Sequence, residues 1–308
     1  MLKQQIRTKT HLLFFRADNC RSHKRSIASS FTRRQLLTST ATVAMVLKQS
    51  ERDRVQSIAS QQKEVREFEK GESLKQLTRL KVGDVIANGA FEVTATETVD
   101  DYQIHAVSLR HLRTGAKWLH VGADDSNNAF NVGFKTVPMD DTGVAHILEH
   151  TTLCGSKKYP IRDPFFNMLR RSLSTFMNAM TSADFTCYPF ATMNRTDYDN
   201  LLSVYLDAVF FPKLEEQDFR QEGHRFEFDK TEDASSGLKY KGVVFNEMKG
   251  AMGSQSARFS RALGANLFPT STFHYNSGGD PTAIPDLTYE QLKAFHALHY
   301  HPSNARFY

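Results

Sequence analysis

The hydrophobic pattern of this 308-residue chain changes its period at about residue 136, and this change limits the folds that are open to it. Between residues 83 and 136, apolar and polar residues alternate, which is typical of β-strands with one buried face. Beyond residue 136, apolar residues recur at spacings of three and four, which is typical of amphipathic helices. Strands followed by helices predict an α+β fold with helices packed on one face of an antiparallel sheet, and they exclude a doubly wound fold.

Four strands are predicted in the alternating region, where turn-forming residues separate them into an antiparallel meander. They cover Phe91–Thr96, Gln103–Leu109, Lys117–Val121 and Phe130–Phe134. Later helices are predicted over Asp163–Leu173, Asp197–Phe210, Glu215–Phe226 and Val243–Leu267, and extended pieces over Ser174–Met180 and Phe185–Thr192. The glycine-rich segment Ser277–Pro281 is predicted to be a turn, because the strand and the Gly-Lys-Ser/Thr sequence that frame a phosphate loop are missing around it.

One further helix carries the segment His146-Ile147-Leu148-Glu149-His150, in the order His-x-x-Glu-His. Residues four apart lie on the same face of a helix, so His146 and His150 can bind one metal ion together. Glu149 has the reach to act on a water at that metal. The order is the reverse of the common zinc-protease motif His-Glu-x-x-His and indicates a metallopeptidase. The alternative is a pair of buried or salt-bridged histidines without a metal.

The residues around the motif favour a helix. Apolar side chains form a stripe that faces the core, and two aspartates precede the helix as candidate N-cap residues. The stripe consists of Val144, Ile147, Leu148 and Leu153, and the candidate caps are Asp140 and Asp141.

Two histidines do not complete a catalytic zinc site, which usually has three protein ligands, and two histidines with one glutamate are an established set. Three glutamates remain open for the third position on the residues alone: Glu222, Glu227 and Glu247. Glu247 lies within the apolar segment Val243–Met248, where an unpaired carboxylate is costly to bury.

Five segments of the chain carry a specific resemblance. They are GVAHILEHTTLCGSKKYPIRDPFF, SLSTFMNAMTSADFTCYPFAT, NLLSVYLDAVFFPKL, GVVFNEMKGAM and HYHPSNARF, within the part of the chain that begins at about residue 85. On these segments the chain resembles the pitrilysin-type inverzincin metallopeptidases, in their branch of organellar presequence proteases.

The resemblance implies that His146, His150 and Glu247 bind one zinc ion per chain and that Glu149 is the general base. It implies a zinc metalloendopeptidase that degrades short unfolded peptides, such as cleaved targeting presequences. Some shorter relatives carry a further glutamate at the position of Tyr240, and no such role is carried over here.

The resemblance also implies that Phe176–Thr181 is an edge strand to which a substrate peptide adds as one more strand. Asn178 would bond a substrate carbonyl, and Ala179 would leave room beside the zinc. Leu153 and Met180 would line an apolar pocket, with Met180 in a place where Phe is more usual. The alternative for this segment is an ordinary buried strand.

The family also implies that the chain is truncated. A missing C-terminal half would close over the substrate and supply oxyanion-stabilising groups, so the 308-residue chain is expected to hydrolyse little. The alternative function is that of a non-catalytic homologue acting as a structural subunit of a processing complex, although His146, Glu149, His150 and Glu247 are all present.

The positive charge of the chain is concentrated at its start. Residues 1–50 hold ten basic residues and one acid, so the net charge of +5 becomes −4 over residues 51–308. This composition predicts a targeting peptide over residues 1–50. A linker or entry helix over residues 51–82 and a catalytic domain over residues 83–308 follow. The predicted location is the mitochondrial matrix, with the chloroplast stroma as an alternative, and Thr32–Leu37 also resembles a twin-arginine signal.

Charge and hydropathy also limit the partners. Because the excess of basic residues belongs to the leader, the basic pI does not indicate nucleic acid binding. The apolar run Leu36–Leu47 is too short and too rich in threonine to predict a membrane span. Three cysteines do not form a disulfide framework, and the role of Cys154, which follows the metal-binding motif, is left open.

Overall fold

The computed structural model describes residues 76–308. The predicted targeting peptide and most of the predicted linker lie outside the described residues. Eleven strands and seven α-helices occur within residues 76–308. In chain order they are β1 Val85–Ile86, β2 Phe91–Val99, β3 Ile104–His111, β4 Lys117–Gly122, β5 Asn128–Lys135, α1 Val144–Thr152, α2 Pro164–Arg171, β6 Ser174–Met177, β7 Met180–Thr181, β8 Phe185–Thr192, α3 Arg195–Phe210, α4 Glu216–Glu222, β9 Arg225–Phe228, β10 Leu238–Lys241, α5 Val243–Ala251, α6 Gln255–Leu267, α7 Tyr289–His299 and β11 Ala305–Phe307.

Nine of these strands form one sheet, and the predicted α+β class is confirmed. The strand order is β1-β2-β3-β4-β11-β5-β8-β6, and β7 also pairs with β8. The meander was predicted to run from β2 to β5, and this is wrong at its last step. Strand β11 lies between β4 and β5, where it is parallel to β4 and antiparallel to β5.

The core lies on one face of this sheet because alternate residues of the central strands are large and apolar. On β5, Phe130 and Val132 are buried and lie opposite Phe190 and Tyr188 of β8. The late strand β11 adds Phe307, whose ring stacks on Trp118 with the ring centroids 4.8 Å apart. This aromatic pair stabilises the packing of β11, the last described strand, against β4.

Helix α1 is anchored in this core by its apolar stripe. Ile147 and Leu148 are fully buried, and Val144 is nearly so. The helix contacts α4, α7 and the β7–β8 end of the sheet. The two histidines of α1 therefore project from a helix whose opposite face is held by the main core.

Replacing Ile147 with alanine is expected to lower the free energy of unfolding by about 2–5 kcal/mol, because the change leaves a cavity in a packed core. Denaturant unfolding followed by circular dichroism measures the change. Ile161, which is 54% exposed, is the control, and Ile161→Ala is expected to change stability by less than about 0.5 kcal/mol. Equal losses in the two variants would contradict the anchoring of α1.

The helices differ from the predicted ones at three places. The predicted helix Glu215–Phe226 ends at Glu222, and the residues after it form β9, which pairs with β10 in a separate two-stranded sheet. The predicted helix Val243–Leu267 is two helices, since Gly253 and Ser254 interrupt it and the Ser254 hydroxyl accepts a hydrogen bond from the Ala257 N–H. Helix α7 was not predicted. No helix within residues 76–308 is long and apolar enough to cross a bilayer.

The predicted aspartate N-caps of α1 are also wrong. The N-cap residue is Gly143, with φ 69°, and the structure gives it no side-chain cap. Asp140 instead accepts hydrogen bonds from the N–H and hydroxyl of Thr142. Asp141 binds Arg261 and Asn276, which lie far along the chain.

Candidate metal centre

The two histidines of α1 lie side by side on its polar face. The ring centroids of His146 and His150 are 5.0 Å apart, as the spacing of four residues requires. Helix α5 brings Glu247 to them, because Val244 and Phe245 bury the opposite side of its first turn. The Glu247 Oε2 atom is 3.9 Å from the Nε2 atom of His146.

One potential ligand atom from each of these three residues lies within 4.8 Å of the other two. Among residues 76–308, this is the one group of histidine, cysteine and acidic side chains that could hold a metal ion. Two imidazoles and one carboxylate are a known ligand set for catalytic zinc. The chemistry of these donors therefore fits the metal that the sequence pattern indicates.

The outer nitrogen of each imidazole has its own partner. His146 Nδ1 lies 2.9 Å from the carbonyl oxygen of Gly278, and His150 Nδ1 lies 3.0 Å from Oε2 of Glu222. A carbonyl oxygen can only accept a hydrogen bond, so Nδ1 of His146 is the donor, and in the neutral ring the lone pair is on Nε2. Metal-binding histidines usually have such an outer partner, which orients the ring.

Glu222 and His150 also perturb each other electrostatically. Burial lowers the pKa of His150, but the hydrogen bond from its ring to Glu222 and the charges of Glu149, Glu222 and Glu247 outweigh burial, so the pKa is raised. Burial raises the pKa of Glu222, and the bond to His150 and its charge more than offset this, so the pKa is lowered. Glu222 is thus an ionised acceptor held against the ring of His150.

Glu149 lies outside this group of three and is 7% exposed. Its Oε2 atom accepts a hydrogen bond of 2.6 Å from the hydroxyl of Thr181 in β7. Behind Thr181, the hydroxyls of Thr186 and Thr136 are buried and lie 2.8 Å apart. One carboxylate oxygen is therefore fixed from the sheet side, which orients the whole group.

The segment proposed to bind substrate lies at one edge of the large sheet. Strands β6 and β7 pair with β8 on one side, and the sheet order ends there. Between them, Asn178 donates its backbone N–H to Pro189 O, and Ala179 packs partly buried against the core. The backbone of this segment is thus a sheet edge next to the strand that contacts Glu149.

The two residues expected to form an apolar pocket are found in different places. Leu153 lines a small apolar cavity, together with Met177, Phe165 and Tyr205. Met180 is 43% exposed and is not part of that lining. The cavity thus lies behind the edge segment, whereas Met180 is exposed on the outer surface of that segment.

The other residues left open by the sequence are not among the three donors. Glu227 lies on the hairpin of β9 and β10, where it forms ion pairs with Arg225 and Lys241. Tyr240, on the same hairpin, stacks on Phe226. Cys154 is a free, buried thiol, and burial raises its pKa, so it is not poised as a thiolate.

Three contributors to the site were not recognised in the sequence. Glu222 was considered a competing ligand and instead supports His150 from outside. Thr181 and the carbonyl of Gly278 were not considered, since hydroxyls are common in strands and a backbone carbonyl has no signature in the sequence. The sequence offered one signal for Glu222, which is its place at the end of a charged segment just before Gly223. The structure shows that Glu222 is buried there.

Known proteins resemble the chain in sequence and in overall fold. Residues 130–249 match the family described as Insulinase (Peptidase family M16). The structure resembles pitrilysin, with a TM-score of 0.52 and 20% identity over 68% of this chain and 21% of that chain. It also resembles a protease from Helicobacter pylori, with a TM-score of 0.51 and 22% identity over 65% of this chain and 44% of that chain. Residues 130–249 thus match this peptidase family, and the fold resembles that of pitrilysin, as the resemblance predicted.

Curated relatives are similar to the chain over more than two thirds of its length. The chain is 61% identical to "Presequence protease, mitochondrial" of Xenopus tropicalis over 71% of this chain and 21% of that protein. It is 58% identical to the protein of the same name from Mus musculus, over 74% of this chain and 22% of that protein. The chain is thus homologous to mitochondrial presequence proteases and spans about a fifth of the length of these relatives.

Proposed function

We propose that this chain forms the zinc-binding part of a metalloendopeptidase, with His146, His150 and Glu247 as ligands of one zinc ion and Glu149 as the general base. The observation that carries the proposal is the convergence of the three donors, which lie up to 101 residues apart along the chain, within 4.8 Å of one another. The free Nε2 lone pair of His146 and the separate position of Glu149 support the division of roles.

A zinc ion held by His146, His150 and Glu247 would supply Lewis acidity, which would polarise a peptide carbonyl and lower the pKa of water to about 7. The residues of the chain do the rest. Glu149 accepts the proton of the attacking water and passes it to the leaving amine. Thr181 holds one oxygen of Glu149, and the other oxygen would accept the proton.

The proposed substrates are short unfolded peptides, including cleaved presequences. The edge segment that contains Asn178, Ala179 and Met180 would accept a peptide as an added strand, and backbone hydrogen bonds of this kind tolerate many sequences. The exposed side chain of Met180 would contact the peptide. Leu153 would contribute through the apolar cavity behind the segment.

The proposed location is the mitochondrion, which the names of the relatives support, and within it the matrix. The chloroplast stroma is the alternative. The proposed organisation is a targeting peptide over residues 1–50, a linker over residues 51–82 and a catalytic domain over residues 83–308. We further propose that a region equivalent to the rest of the relatives' length closes over the substrate, with neither nucleic acid nor membrane as a partner.

Zinc analysis combined with peptide cleavage tests the proposed function. We expect one zinc per chain, removable by a chelator, and slow cleavage of an unfolded peptide that stops with the chelator and resumes with zinc. Slow cleavage is expected because the chain spans about a fifth of the length of its relatives, and the resemblance assigns the oxyanion-stabilising groups to the remaining length. A chain that retains no zinc would contradict the proposal and favour a non-catalytic subunit. Rapid cleavage would contradict the need for a second half.

Replacing Glu222 with glutamine is expected to weaken zinc binding by about tenfold, because loss of an outer partner of a metal-binding histidine costs about 10–100-fold in affinity. Competition against a chelator of known affinity measures the change. Glu216→Gln, in the same helix but in a surface ion pair with Arg220, is the control and is expected to leave the affinity unchanged. An unchanged affinity in Glu222→Gln would remove Glu222 from the site.

A further inference from the structure

The loop of residues 276–280, which overlaps the predicted turn Ser277–Pro281, holds the ring of His146. The loop presents the carbonyl of Gly278 to His146 Nδ1 at 2.9 Å. The side chain of Asn276 shapes the loop around that carbonyl: its Oδ1 accepts the N–H of Gly278 at 3.2 Å, and its Nδ2 donates to the carbonyl of Gly279 at 3.2 Å. One amide thus fixes the peptide groups on both sides of the carbonyl that receives the imidazole proton.

Asp141 ties this loop to the start of the metal-binding helix. Its Oδ1 accepts the backbone N–H of Asn276 at 2.6 Å and a guanidinium N–H of Arg261 at 2.7 Å. Its carbonyl oxygen accepts the N–H of Asp280 at 2.8 Å. Asp141 precedes the N-cap of α1 by two residues, so the loop is fastened to the same helix whose histidine it contacts.

The loop also packs too closely for side chains at two glycines. A Cβ atom on Gly143 would lie 2.6 Å from the Cα atom of Gly279, and both glycines have positive φ angles, of 69° and 99°. On its other side, Gly278 packs against the side chain of Met248, which follows Glu247. The loop therefore touches α1 and α5, the two helices that carry the three donors.

We propose that this loop is a positioning element of the metal centre, and that Asn276 and Asp141 are positioning residues which act on the metal through the Gly278 carbonyl and His146. The inference rests on the proposed function and deepens it. Because the carbonyl accepts the Nδ1 proton, the loop selects the tautomer whose Nε2 lone pair faces Glu247. The Asp141–Arg261 pair links the loop to α6, beyond the metal-binding helices.

Asn276→Ala tests the proposal on the full 308-residue chain with two measurements. In chelator competition, zinc binding is expected to weaken by about 10–100-fold, as for other outer partners of metal-binding histidines. In the metal-free chain, ¹H–¹⁵N correlation spectra of the histidine rings are expected to show His146 protonated at Nδ1, and as a mixture of tautomers in Asn276→Ala. A His146→Gln variant assigns the signals. A merely structural loop would not change the tautomer.

Asp207→Ala is the matched control. Asp207 also accepts a backbone N–H from a distant loop, that of Lys158 at 2.7 Å, but away from the donors. Its zinc affinity and the His146 tautomer are expected to match those of the wild type. If Asn276→Ala fails to fold, Asp141→Asn is the second variant. It keeps an oxygen for the Asn276 N–H, removes the charge that binds Arg261, and is expected to weaken zinc binding several-fold.

The outcomes separate this inference from the proposed function. If the wild-type chain binds no zinc, the proposed function fails, while the tautomer of His146 still reports on the loop. If the wild type binds zinc and a folded Asn276→Ala chain binds it equally tightly with His146 still protonated at Nδ1, the positioning role is overturned. A loss of affinity in Asp207→Ala equal to that in Asn276→Ala would overturn it too.

Discussion

Replacing Glu149 with glutamine is expected to leave zinc affinity unchanged and to slow peptide hydrolysis by about 10²–10⁴-fold, the usual contribution of a general base. Glu149 is not among the three converging donors, so its loss leaves the ligand set complete. Glutamine has nearly the same shape and can still accept the Thr181 hydrogen bond through its amide oxygen. It cannot accept a proton from water at neutral pH.

The measurement uses zinc-loaded chain in excess over a fluorogenic unfolded peptide, so that slow cleavage is counted in a single turnover. Zinc content is determined on the same samples. Glu97→Gln, an equal change at an exposed position of β2, is the control and is expected to affect neither quantity. A zinc-loaded Glu149→Gln chain that cleaves as fast as the wild type would exclude Glu149 as the base.

Replacing Glu247 with alanine is expected to weaken zinc binding by more than about 100-fold, beyond the range for loss of an outer partner. The carboxylate of Glu247 is the one non-histidine donor of the group, and its Oε2 atom lies 3.9 Å from His146 Nε2. Its side chain is about one-third exposed, so its removal leaves the buried side of α5 intact. The fold is therefore expected to persist while the affinity falls.

Glu227→Ala is the matched control, because Glu227 was a competing candidate in the sequence and the structure pairs it with Arg225 and Lys241 on the hairpin. Chelator competition is expected to rank the affinity losses as Glu247 largest, Glu222 intermediate and Glu227 negligible. A large loss in Glu227→Ala, or none in Glu247→Ala, would show that the metal is bound by a different set of residues.

The fold was predictable wherever the residues of one element show a clear hydrophobic period by themselves. The strands β2 to β5 alternate and the helices α1 and α3 have continuous apolar stripes, and both kinds of element were found close to their predicted bounds. The prediction failed where a tertiary contact decided the outcome. Strand β11 has three residues, too few for a period to be visible, and it is stabilised by pairing with β4 and β5. The hairpin of β9 and β10 was not predicted either, because its charged and aromatic residues do not indicate a buried strand face.

The sequence alone determined the pair of histidines and the neighbouring glutamate, because a spacing of four residues on a helix fixes their geometry without help from the rest of the chain. The residues alone left Glu222, Glu227 and Glu247 open as the third donor, and the tertiary structure places the three carboxylates apart. The first lies behind His150, the second on a distant hairpin, and the third beside both imidazoles. It also assigned a contact to the 276–280 loop, since a carbonyl that orients an imidazole 132 residues away is set by packing and has no pattern in the sequence.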